Sequence, residues 1–114
     1  MKSLARKFPG AVVHECWQGD AALAIAKRAD LSAIVSHRTF DYDGETLVAR
    51  FRGVNPTVPI VMVSGYDRAD RAKAAGADTF LNYDRWLMIG TVVAEAMAAK
   101  APARSAPTAV AVAR

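Results

Sequence analysis

The run Ile60–Val63 (IVMV) constrains this chain more than any other feature. Four consecutive apolar residues, bounded by Pro59 and by Ser64-Gly65, have the length of a strand and no polar face. Such a strand has to be covered on both sides, which calls for a sheet with helices above and below it. The flanking segments supply them. Ala11–Cys16 (AVVHEC) predicts a short strand that Gly19-Asp20 breaks, and Asp20 is placed to cap a helix. In that helix Ala22, Ile25, Ala26 and Ala29 form one apolar stripe. Leu31–Val35 predicts a strand, and Gly44–Arg52 a helix with Leu47, Val48 and Phe51 on one face. Asn55-Pro56 and Pro59 then punctuate the chain. Asp67–Ala75 predicts an alanine-rich helix ended by Gly76 at a C-cap position, and Thr79–Leu81 a brief strand. Asp84 is placed to cap a last helix carrying Ile89, Val93 and Met97 on one stripe.

The order β-α-β-α-β-α-β-α implies an α/β fold, a doubly wound parallel sheet joined by right-handed crossovers. Ligand sites in such sheets lie at the carboxyl ends of the strands. Those ends are Cys16-Trp17, Ser36-His37, Ser64-Gly65 and Asn82-Tyr83. The domain is expected to span residues 1–100. The tail from Ala101, APARSAPTAVAVAR, holds two prolines and small residues and is expected to be mobile.

With 114 residues there is room for one small domain and one core. No apolar run reaches the roughly 18 residues of a membrane span, and MKSLARKFPG lacks the apolar stretch of a signal peptide. The expected location is cytoplasmic. Cys16 is the only cysteine, which rules out an intrachain disulfide or a thiolate metal cluster. The net charge of +4 makes anionic partners worth weighing. The basic residues are scattered, however, without a basic stripe or a stacking-aromatic motif, so nucleic-acid binding is not the favoured reading.

Three stretches, "GDAALAIAKRADLSAIVS", "DGETLVARFRGVNPTVPIVMVSGYD" and "KAAGADTFLNYD", resemble the receiver domains of two-component response regulators. The likeness runs from about Val12 to Ala98, in matching order and spacing. It implies a flavodoxin-like receiver fold and a place in phosphorelay signalling. In that family an aspartate at the end of the third strand accepts a phosphoryl group from a histidine kinase. It stands eight residues before the glycine that opens the next helix, and here that position is Ser36. A serine phosphate is a stable ester, and the hydroxyl is a poor nucleophile without a base. His37 follows directly, but strand neighbours point to opposite faces, so a Ser36–His37 pair is not expected. The family's lysine corresponds to Tyr83, while Ser64 and Phe80 match its switch hydroxyl and switch aromatic.

The family's acidic pair for Mg²⁺ ends a first strand that the opening residues do not provide. LARKFPGAVVHE resembles the tail of the family's first helix running into its second strand. The expectation is a receiver fold missing its first strand and most of its first helix. That strand is central in the family's sheet, so its loss would leave backbone groups facing a gap. The gap could be met by residues upstream of Met1, by direct pairing of the flanking strands, or by another chain on the open edges. The first or a compensating dimer is favoured.

No metal, cofactor or catalytic residue is therefore expected. Asp41 and Asp43 are candidate substitute phosphoacceptors, although Asp near an Asp-Gly turn usually makes local hydrogen bonds. His14 and Cys16, two apart on one strand, are too few for a metal site. The expected function is phosphorylation-independent protein–protein interaction. Its surface would carry Arg68, Arg71, Lys73, Tyr83, Arg85 and an exposed Trp86. Its partner would be a histidine kinase, another signalling protein or a second copy of the chain. The competing expectations are a phosphoacceptor using Asp41, Asp43 or upstream residues, and a weak nucleic-acid binder.

Overall fold

A computed structural model describes residues 6–27, 31–37, 39, 41–100 and 109–113. In chain order it contains β1 (Val12–Cys16), α1 (Gly19–Ala26), β2 (Ala33–Ser36), α2 (Gly44–Val54), β3 (Ile60–Ser64) and α3 (Ala69–Ala75). These are followed by β4 (Thr79–Asn82), a 3₁₀ helix (Tyr83–Met88), α4 (Ile89–Lys100) and β5 (Ala109–Ala113). The described strands form one parallel sheet in the order β1-β5-β2-β3-β4.

Each element follows from local chemistry. The uniformly apolar strands, IVMV above all, are buried on both faces. Ile34, Ile60 and Met62 pack under α1 and α2 with Ala22, Leu47 and Phe51. Val35, Val61 and Val63 face Ile89, Val93 and Met97 of α4. Asp43 caps α2 by accepting from the Thr46 N–H at 2.8 Å. Gly76 ends α3 in the left-handed region, φ 113°, a conformation that favours a residue without Cβ.

The C-terminal segment departs most from expectation. The tail expected to be mobile contains β5, and β5 stands in the centre of the sheet. Its alternation suits a strand between two helical layers. Ala109, Ala111 and Ala113 face α1 and α2, and Val110 and Val112 face α4. It pairs with β1 from Val12↔Ala109 to Cys16↔Ala113 and with β2 from Ala33↔Val110 to Ser36↔Ala113. The first-strand position expected to be vacant is thus filled by the chain's own C-terminal residues, neither by a direct β1–β2 pairing nor by another chain. The physical reason is the gap itself. Backbone N–H and C=O groups on two facing edges need partners, and the small-residue strand satisfies both edges while closing both cores. The fold therefore extends at least to Ala113, while the rest of that tail, residues 101–108 and 114, lies outside the described residues.

At the amino ends of the strands, Arg52 ties the loops together. Its guanidinium donates to the carbonyls of Gly76 at 2.9 and 3.0 Å and Val58 at 2.8 Å, and to Asp78 at 3.0 Å. Asp78 also accepts from the Ile60 N–H at 2.8 Å and pairs with Lys100 at 3.0 Å, which fixes the end of α4 near the start of β3.

Candidate functional site

The carboxyl ends of β2, β3 and β4 surround a cavity of about 370 Å³, with His37, Asp43, Ser64, Tyr66, Tyr83 and Asp84 among its lining residues. Ser36, expected from the resemblance at the phosphoacceptor-equivalent position, ends β2 and is 0% exposed. Its hydroxyl has no hydrogen-bond partner among the described residues. His37 therefore does not activate it, in keeping with the alternation of side chains along a strand. The His37 ring instead stacks on Tyr83, with centroids 5.1 Å apart and planes inclined by 27°. Tyr83 stacks in turn on Trp86 at 5.7 Å and 21°. An aromatic ladder thus joins the loop after β2 to the 3₁₀ helix after β4, at the position where the resemblance would place a lysine.

Ser64 ends β3 and lines the same cavity, its hydroxyl accepting from the Tyr66 N–H at 3.2 Å, a local turn contact. Phe80 packs half-buried against the core beneath α1 and α2.

Asp41 and Asp43 are committed elsewhere. The Asp41 carboxylate accepts from the Gly19 N–H at 2.7 Å, so it serves the first turn of α1 from 22 residues away. Asp20 lies inside that first turn, contrary to its expected capping position, and accepts from the Tyr42 hydroxyl at 2.7 Å. Gln18 occupies the N-cap with no side-chain cap bond, which leaves an amide for Asp41 to satisfy. Asp84 likewise lies within the 3₁₀ helix, and Asn82 makes the cap by accepting from the Asp84 N–H at 3.0 Å. Of the expected α1 stripe, Ala29 lies outside the described residues.

The Gly19 N–H holds the Asp41 carboxyl below the usual carboxylate range, and the Thr46 N–H does the same for Asp43. A carboxyl whose folded-state pKa is depressed contributes stability that is present above its unfolded value, about 3.9. That contribution is lost as pH falls through the folded value. Acid below about pH 4 is therefore expected to release the loop after β2 from α1. Gly19 itself has no room for a side chain, since a Cβ there would overlap the Tyr42 ring. Gly19→Ala is expected to destabilise the fold by about 1–3 kcal/mol, read by chemical denaturation.

The residues expected to form an interaction surface fall into two groups. Arg71, Lys73 and Arg85 are exposed. Arg68 is engaged with Glu45 at 2.9 and 3.1 Å and lies over the Tyr66 ring. Trp86, expected to be exposed, is half-buried against the core beneath α4 and stacked on Tyr83. The exposed apolar side chains there are Leu87 at 85% and Met88 at 42%. The 3₁₀ turn rotates Trp86 inward and its neighbours outward, and a regular helical reading of Asp84 onward does not signal that.

His14 and Cys16 share a face of β1, with Cys16 buried. Among the described residues no group of three His, Cys, Asp or Glu is placed to hold a metal ion. The Mg²⁺ that the resemblance implies does not fit these residues. Ser36 supplies a buried hydroxyl, β5 ends on Ala113, and Asp41 and Asp43 are bonded to backbone amides. No described helix is long and apolar enough to cross a membrane.

No protein-family model matches the chain, and no curated protein matches it. Solved structures do. A response regulator protein from Burkholderia pseudomallei, crystallised with a phosphorylated aspartic acid, a calcium ion and citrate, is similar with a TM-score of 0.61 and 24% identity. The likeness covers 91% of this chain and 68% of that one. A CheY-like receiver domain protein from Methanospirillum hungatei JF-1 is similar with a TM-score of 0.53 and 19% identity, over 69% of this chain and 70% of that one. The fold expected from the resemblance is the observed one, an α/β receiver fold with a fully parallel sheet.

Proposed function

We propose that this chain is a receiver-like signalling module of a two-component system, acting through protein–protein contacts without accepting a phosphoryl group. One observation carries the reading: the strand end where receivers hold their phosphoacceptor presents Ser36, an enclosed hydroxyl with no hydrogen-bond partner among the described residues. The stacked His37 and Tyr83 support it further. They link the two loops that a receiver otherwise couples through its phosphoryl group, so the site has a fixed connection where a switch would be.

The contact surface in this reading is α3, β4 and the 3₁₀ helix. Arg71, Lys73 and Arg85 are exposed on these elements, as are the apolar side chains of Leu87 and Met88. Its partner is a histidine kinase or another signalling protein with an acidic, apolar-centred patch. The module has no catalytic activity of its own.

Incubation with acetyl phosphate and Mg²⁺, followed by intact-mass measurement, tests the proposal. No added mass is expected. A stoichiometric, base-labile gain of one phosphoryl group would overturn it and return Asp41 or Asp43 to consideration.

A further inference from the structure

We infer that the cavity at the carboxyl ends of β2, β3 and β4 binds a small planar organic cation, a free guanidinium or amidinium compound. This goes beyond the signalling reading and does not rest on it. The balance of charge in the lining carries the inference. Three formally charged side chains line the space of about 370 Å³: Asp43, Arg68 and Asp84. The Arg68 charge is met by Glu45, whose carboxylate oxygens accept from Nη1 at 2.9 and 3.1 Å. The Asp84 carboxylate has no hydrogen-bond or ion-pair partner among the described residues. Asp43 accepts from the Thr46 N–H at 2.8 Å. A carboxylate offers about four acceptor sites, so that contact leaves room for a ligand. The position for which the resemblance implies a lysine holds Tyr83, and the local field therefore favours a cation over an anion.

The rest of the lining sets the kind of cation. Tyr66 and the stacked pair His37 and Tyr83 form aromatic parts of the wall. Rings and two carboxylates do not make the oxygen cage that a hard metal ion takes. They suit a delocalised, weakly hydrated cation whose planar fork also matches a carboxylate. The wall itself contains one example. The Arg68 guanidinium lies over the Tyr66 ring, 5.8 Å from its centroid, while Glu45 holds it. Tyr83 and Asp84 bring the same two partner types, a ring and a carboxylate, to the same cavity. Its volume lies in the range of small-molecule sites, and the carboxyl ends of a parallel sheet are where such sites form.

Nuclear magnetic resonance titration of the full chain with benzamidine, against benzamide as its neutral isostere, tests the inference. Benzamidine should shift the backbone amides of His37, Tyr66, Tyr83 and Asp84 saturably, with a dissociation constant of about 1 mM or lower. Benzamide should bind about tenfold more weakly or worse, because it cannot form charged bonds to the carboxylates. Asp84→Asn should weaken benzamidine about tenfold and leave the urea midpoint in place, since that side chain makes no contact the fold relies on. No saturable shift, equal binding of benzamide, shifts confined to other parts of the chain, or unchanged affinity in Asp84→Asn would each overturn the inference. So would inorganic phosphate that binds the cavity as tightly as benzamidine. Agmatine and a short peptide with a central arginine separate a free ligand from the side chain of a protein. Agmatine should bind at least as tightly, and tighter binding of the peptide would overturn the assignment to a small molecule. Incubation with acetyl phosphate reads phosphoryl acceptance alone, so the two proposals fail separately.

Discussion

Removal of residues 109–114 should abolish the cooperative thermal transition of this protein while leaving much of its helical circular dichroism. That is the largest effect expected from any short deletion. Val110 and Val112 are buried almost completely beneath α4, and each contributes about 1.5–3 kcal/mol by leaving water. The three alanines close the opposite core, and two ladders of backbone hydrogen bonds disappear with them. The sum approaches the roughly 5–15 kcal/mol that a whole domain has to spare. The remaining chain would resemble a collapsed state with secondary structure but no fixed packing, and would bind a hydrophobic dye. A truncated chain that still melts sharply, at a temperature within a few degrees of the full chain, would show that β5 is not the central strand. In the full chain, Val112→Asp should cost at least about 4 kcal/mol, because it places a charge between two packed layers.

Ser36 carries the second large effect, and the two substitutions there have opposite signs. Ser36→Ala should leave stability unchanged or raise it by about 1 kcal/mol, since it removes an enclosed hydroxyl without a partner among the described residues. Ser36→Asp restores the residue type that receivers use and should destabilise by several kcal/mol near neutral pH. The pH dependence identifies the cause. An enclosed, unpaired carboxyl has its pKa raised in the folded state, so the folded protein holds its proton longer than the unfolded chain does. Above the unfolded value of about 3.9 the unfolded chain ionises first, and stability falls as pH rises toward the folded value. Urea denaturation of Ser36→Asp at about pH 5 and about pH 8 should give the lower midpoint at the higher pH. An unchanged or higher midpoint there would mean that cations gather around the restored carboxylate, and that the pocket retains more of a receiver's electrostatics than its residues indicate.

Much of this fold is legible from local pattern alone. IVMV can only be a strand enclosed on both faces. Leu47, Val48 and Phe51 mark the buried side of α2, and Gly76 marks the end of α3, because each signal rests on residues a few positions apart. The expectation that Ser36 stands where receivers carry a carboxylate rests on the same kind of local signal, a spacing from Gly44. The features that need the folded chain depend on distant neighbours. Asp41 serves the first turn of α1 across 22 residues, so its own surroundings identify it only as a turn residue. His37 meets Tyr83 because two strand ends lie side by side. Trp86 turns inward because the chain forms a 3₁₀ turn before α4.

The C-terminal strand marks the boundary between the two kinds of information. The sequence by itself determined that the chain is an alternating α/β sheet protein, and it raised the expectation of a gap beside β2 that needed an answer. Only the tertiary structure decided that AVAVA fills it. Three of its five residues are alanine, which favours helix and is depleted in strands, so the local pattern does not declare a strand. Their place is set by pairing with Val12–Cys16, at the other end of the chain, and by the need of two open edges for hydrogen-bond partners.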